Sequence, residues 1–184
     1  MLRTHTCGEL KETNIGKTAT LCGWVHRRRD HGKLVFIDIR DRWGLTQVVF
    51  VPSVNKATHE IALGLRSEFV IQVTGEVNKR PAGTENPKLA TGMVEVCAKE
   101  LVILNLSETP PFEVDKDTSG VNEEMRLKYR YLDLRSERMK NNILARHRVV
   151  KYLRDYLSKE DFVEVETPIL TKGTPEGSRE YLVP

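Results

Sequence analysis

No apolar run in this chain approaches the roughly 18 residues that a membrane-crossing helix needs, which excludes a helical membrane span. Cysteine is scarce. Cys7, Cys22 and Cys97 are widely spaced and odd in number, and no CxxC pair occurs. Neither a disulfide framework nor a zinc ribbon is therefore expected, and a reducing, cytoplasmic setting is. His5 stands near Cys7, but no second pair of ligands has metal-site spacing, so no metal site is expected. The opening MLRTHTCGEL lacks the apolar core of a secretory signal. Charge of one sign is also lacking: 29 Lys and Arg face 26 Asp and Glu, a formal balance of +3. Any electrostatic argument for a nucleic-acid partner must then be local. What is present suits a folded, soluble chain, with 39% apolar and 30% charged residues. At 184 residues it has room for one domain and part of a second. No internal repeat and no low-complexity tract appears.

The first ~105 residues read as five strands, at 20–25, 33–41, 46–51, 69–77 and 93–104, each rich in β-branched residues. Asp30-His31-Gly32 and Arg42-Trp43-Gly44 read as tight turns, and Arg80-Pro81-Ala82-Gly83 opens a longer loop. Between strands three and four, residues 55–66 place Ile61, Ala62 and Leu65 at helical spacing. Five strands with that helix is the order of an OB-fold, a small Greek-key barrel that binds oligonucleotides. Another small β-barrel remains the alternative at this point. The expected domains are 1–105, the mainly β OB-fold; 106–135, a linker; and 136–184, the start of a second domain. In that start Ser136 is expected to cap a helix ending near Lys159, with Met139, Ile143, Val150, Leu153 and Leu157 as its apolar stripe. A strand is expected at 162–165, stopped by Glu166-Thr167-Pro168.

One residue breaks the pattern. In KLVFIDIRD, Val35, Ile37 and Ile39 share one strand face, while Phe36 shares the other with Asp38 and Arg40. An aromatic on a polar face costs hydration unless a loop, a partner or a ligand covers it. Arg27, Arg28, Arg29 and Lys33 lie just upstream, and Gln47 lies on the next strand. Rings stack on unpaired bases, arginines hold phosphates, and amides read base edges. Phe36, Gln47 and the arginines together favour a reader of an unstacked base over a solvated turn.

LCGWVHRRRDHGKLVFIDIRD, ETPPF, RLKYRYLDLR and VETPILTKGTPEGSREYLVP, in that order, resemble the N-terminal third of bacterial-type aspartyl-tRNA synthetases, class II ligases. The resemblance implies a class II α+β catalytic domain after the linker, of which this chain holds the first helix and strand. It implies anticodon recognition by Arg28 or Arg29, Phe36, Gln47 and Glu95. Phe36 would stack on the central base, Gln47 would read it as uracil, and Glu95 would accept from the first, guanine-type base. Pro168 would mark the motif 1 dimer interface, and Glu176, in TPEG, would meet the ammonium group of L-aspartate. His31 and Gly83 match enzymes that charge tRNA(Asn) as well as tRNA(Asp). The whole enzyme would be a homodimer using ATP and Mg²⁺, away from any membrane. The motif 2 and motif 3 arginines of the ATP site do not occur by residue 184, so this chain alone is expected to bind tRNA without catalysis. The competing readings are a free-standing single-strand-binding OB-fold and a dimerisation piece; TPEGSREYLVP argues against the former.

Overall fold

Alternation of apolar and polar residues dictates the strands, and the strands close on themselves. The computed structural model describes residues 2–169. β1 (Thr18–His31), β2 (Leu34–Arg40), β3 (Leu45–Phe50), β4 (Val70–Lys79) and β5 (Val94–Asn105) form a closed ring in the order β1-β2-β3-β5-β4. All pairings are antiparallel except β3 with β5, where Val48 faces Val96 and Val49 faces Cys97. Leu21, Val25, Ile37, Ile39, Val48, Ile71, Val73 and Val96 point inward and are completely buried. Each such side chain contributes about 1.5–3 kcal/mol relative to exposure.

Helix α1 (Lys56–Leu63) follows β3. Asn55 caps it, its side-chain oxygen accepting from the Thr58 amide at 3.1 Å. Ala62 and Leu65 enter the core, whereas Ile61 of the expected stripe stays 42% exposed.

The turn after β1 is tighter and later than the sequence suggests. β1 continues through His31, which pairs with Leu34, leaving Gly32-Lys33 as a two-residue turn. Gly32 has φ +61°, the left-handed conformation that glycine adopts without a Cβ clash at the first position of such a hairpin. Arg27, Arg28 and Arg29 are therefore strand residues and not part of a turn. A charged run has no hydrophobic period to mark it as a strand. Here ladder hydrogen bonds to β2 hold it extended.

Chain contacts divide the molecule into residues 1–118 and 119–184. The second unit holds α2 (Glu123–Lys128), α3 (Arg130–Asp133) and α4 (Glu137–Lys159). Asn122 caps α2, accepting from the amides of Glu124 and Met125. Asp133 is wholly buried and takes a 2.7 Å hydrogen bond from Arg130 and an ion pair with Arg126. Ser136 sits at the cap position of α4 but makes no capping bond; its hydroxyl donates to the Asp133 carbonyl at 2.7 Å. The expected strand at 162–165 does not form. A strand exists only through a paired neighbour, and no described strand pairs with these residues. Instead the chain reverses at Asp161, φ +63°, and Arg154 of α4 holds Glu164 at 2.8 Å. A 360 Å³ groove runs beside α4, lined by Val150, Leu153, Leu157, Phe162 and Val163. Among the described residues no helix is long and apolar enough to cross a membrane.

Candidate nucleic-acid interface

Residues directly opposite in an antiparallel pair point to the same side. Arg27 opposes Asp38, Arg29 opposes Phe36 and His31 opposes Leu34. Phe36 in turn opposes Val49, and Asp38 opposes Gln47. Cys97 lies beside Val49, and Glu95 opposes Asn78. One outer face thus gathers Arg29, His31, Phe36, Gln47 and Glu95 from four strands. Arg28 does not join it. It opposes Ile37, on the other side of the sheet. Its guanidinium forks onto Asp30 at 2.9 and 2.6 Å and also donates to the carbonyls of Leu63 and Leu65. Those carbonyls close α1, where a cation is favoured.

The face is wired by hydrogen bonds. Arg29 Nη2 donates to Asp38 Oδ1 at 2.7 Å and to Gln47 Oε1 at 3.3 Å. Gln47 Nε2 donates to Glu95 Oε2 at 2.8 Å. Gln47 and Glu95 are each only 9% exposed, so Glu95 is no freely solvated strand carboxylate. Burial pushes the Asp38 carboxyl above its ordinary range, and the Arg29 charge opposes that shift. Beside this row Phe36 lines a 240 Å³ cavity with Gln47, Val49, Asn78, Thr84 and Glu95. The space suits one planar ring better than a drug-sized ligand. Its walls supply an aromatic surface, an amide and a carboxylate.

The loop after β4 forms the rim. Pro81 and Thr84 line the cavity, and Gly83 between them has φ +83°. The Gly83 amide donates to Glu85 at 2.7 Å. His31 stands exposed near the hairpin tip. Sequence reasoning overlooked Arg80, whose place before a proline marks only a loop start. It is 5% exposed and donates to the carbonyls of Val94 and Thr84. Burial lowers its basicity, while the nearby carboxylates of Glu95 and Asp38 counteract this. Asp38 was legible as a neighbour of Phe36 but not as the anchor of Arg29. Pro168 is exposed, and Glu176 lies outside the described residues. Among the described residues no group of three or more His, Cys, Asp or Glu side chains could hold a metal ion.

Residues 19–104 match the family model for the OB-fold nucleic acid binding domain, and residues 122–184 that for class II tRNA synthetases (D, K and N). The chain is 60% identical over 182 residues to an aspartate–tRNA(Asp/Asn) ligase of Rubrobacter xylanophilus, covering 99% of this chain and 30% of that protein. It is 56% identical over 182 residues to an aspartate–tRNA(Asp/Asn) ligase of Aquifex aeolicus, again covering 99% and 30%. The chain spans about 30% of the length of these curated relatives. Among solved structures, asparaginyl-tRNA synthetase from Pyrococcus horikoshii complexed with asparaginyl-adenylate superposes with TM-score 0.79 at 28% identity, covering 97% of this chain and 39% of that one. A putative aspartyl-tRNA synthetase from Leishmania major Friedlin superposes with TM-score 0.79 at 26% identity, covering 90% and 34%.

Proposed function

Given that the chain belongs to the aspartate–tRNA ligase family of class II synthetases, we propose that its β unit reads the anticodon loop of tRNA(Asp) and of tRNA(Asn). The observation that carries this is the row Arg29–Gln47–Glu95, hydrogen-bonded beside the Phe36 cavity. Phe36 stacks on the central anticodon base. Gln47 reads that base as uracil, since an amide offers both a donor and an acceptor to its edge. Glu95 accepts from the amino and imino groups of guanine at the first position. Arg29 takes the third base or its phosphate; it is favoured over Arg28, whose donors are engaged on the other side of the sheet. The face is preorganised: each polar group already holds a partner of the kind a base presents, so binding exchanges hydrogen bonds without leaving a buried group bare.

His31 and Gly83 border this face and set how strictly the third base is read. An exposed imidazole and a glycine loop tolerate either pyrimidine. Replacing His31 with leucine should raise discrimination between GUC and GUU loops. Equal loss for both would remove His31 from specificity.

The whole protein, on this reading, is a homodimeric ligase that joins L-aspartate to tRNA with ATP and Mg²⁺ in the cytoplasm. Pro168 belongs to the dimer interface, and Glu176 meets the substrate ammonium group. No described cluster of acidic or imidazole side chains suits Mg²⁺.

The test is binding of this chain to stem-loops bearing GUC, GUU or a scrambled anticodon at one fixed salt concentration, because phosphate contacts alone give sequence-blind, salt-dependent affinity. Equal binding of GUC and GUU with weak binding of the scrambled loop is expected. Tenfold preference for GUC would restrict the reading to tRNA(Asp). Equal binding of all three would leave only a general single-strand binder.

A further inference from the structure

Strand β1 changes phase at one residue. Before it, Val25 pairs with Ile39 inside the core. After it, Arg27 pairs with Asp38, and the ladder shifts between Val25 and Arg27. His26 is the extra residue of this bulge. Without it, Arg28 would oppose Phe36, and Arg27 would turn to the inner side with Ile37. The bulge therefore decides which arginine stands next to Phe36.

A closed circuit of contacts surrounds it. His26 Nδ1 accepts from Arg40 Nη1 at 2.8 Å. Arg40 Nη2 donates to Glu68 Oε1 at 2.7 Å. The Glu68 amide donates to the Val25 carbonyl at 2.8 Å, and the Val25 amide donates to Phe69 at 2.9 Å. Glu68 is 5% exposed and holds φ +67°, a conformation uncommon for a residue with a Cβ. Buried ion pairing and a strained backbone converge on Glu68, which bonds to Val25 just before the bulge and, through Arg40, to His26 at the bulge itself.

We infer that Glu68, Arg40 and neutral His26 form a clamp that fixes the β1 bulge and thereby presents Arg29 to the anticodon. These are positioning residues. Their role rests on the reading of the outer face proposed above. An arginine only donates, so His26 must offer a bare Nδ1; protonation would set N–H against N–H. Burial and the Arg40 charge both hold the imidazole below its ordinary range, while Asp115, Asp38 and Glu68 pull it upward. The clamp is thus closed at neutral pH and opens as acid protonates His26.

The test uses the 184-residue chain and a GUC stem-loop. His26→Ala should weaken binding about tenfold, the loss of one charge-assisted contact. His26→Asn, whose side-chain oxygen can accept from Arg40, should restore it. From about pH 7 down to about pH 4.5, a window that reaches well below the ordinary imidazole value, the original chain should lose more affinity than His26→Asn. Cross-strand nuclear Overhauser contacts read the register directly: Arg29 opposite Phe36 should be lost in His26→Ala. Should that variant not fold, Arg40→Met serves, since a thioether of similar length donates to neither His26 nor Glu68. Unchanged affinity together with an unchanged register in either variant overturns the clamp. Phe36→Ala separates the two ideas. If it leaves affinity intact, the reading face has failed, and the register alone then decides the clamp: Arg29 displaced supports it, Arg29 in place overturns it.

Discussion

The β ring and helix α4 draw on the same apolar residues and leave them in opposite conditions. In the ring, Leu21, Ile37, Ile71 and Val96 are completely buried. On α4, Ile143, Leu153 and Leu157 remain about half exposed, and none of its 23 residues is buried. Both segments show a clear hydrophobic period. A ring of strands turns every apolar face toward another strand of the same ring. A single helix has one stripe and must find cover elsewhere. A sequence period therefore states a demand for cover, and only the tertiary fold says whether that demand is met.

The largest test of this contrast compares two truncations. Ile71→Ala in the ring should cost about 2–5 kcal/mol by urea denaturation, as transfer and cavity terms combine. Leu153→Ala on α4 should cost no more than about 0.5 kcal/mol in this chain. Similar losses at both positions would erase the difference between ring and helix.

A second comparison separates the two faces of the ring. Phe36→Ala should weaken GUC stem-loop binding by about 1–3 kcal/mol, with a much smaller change in the urea midpoint than Ile71→Ala. A large stability loss would mean that Phe36 belongs to the core and not to the reading face.

The smallest effect concerns Asp38. Its carboxyl is raised by burial, so the folded state holds the proton more tightly than the unfolded one. Ionised Asp38 therefore costs stability at neutral pH, and that cost is relieved as pH falls through the raised folded value toward the ordinary one. Asp38→Asn should remove this slope and change neutral-pH stability by less than about 1 kcal/mol. Thermal melts from about pH 7 to about pH 4 check it. A difference between the two proteins that does not vary with pH would show that burial does not govern Asp38.

The core-facing stretches of the strands and the helices α1 and α4 were legible because each carries a hydrophobic period, whereas the charged second half of β1 was not. Phe36 was legible for the converse reason, as an aromatic that violates one. What escaped lacks such a mark. The His26 bulge is one extra residue with no signature of its own. Arg28 and Arg29 are identical in type and adjacent, and only strand register sends them to opposite sides. α2 and α3 are short, and MRLKYRYLDL shows no helical stripe long enough to read. Ser136 has the residue type of a helix cap, yet its hydroxyl is taken by Asp133.

The parallel pairing of β3 with β5 has a kinetic consequence. It closes the ring through only two residue pairs, Val48 with Val96 and Val49 with Cys97. The Gln47–Glu95 hydrogen bond straddles that seam and joins residues 48 positions apart. Contacts of such separation are slow to form, because the entropy of the intervening loop is lost before the contact rewards it. A chain caught with the seam still open can hold its β1–β2–β3 meander, with Phe36 and Arg29 in place, and yet have no Glu95 beside Gln47. On the proposed reading of this face, competence to recognise guanine would then arrive later in refolding than competence to stack a base, and the order in which the two appear times the shutting of the ring.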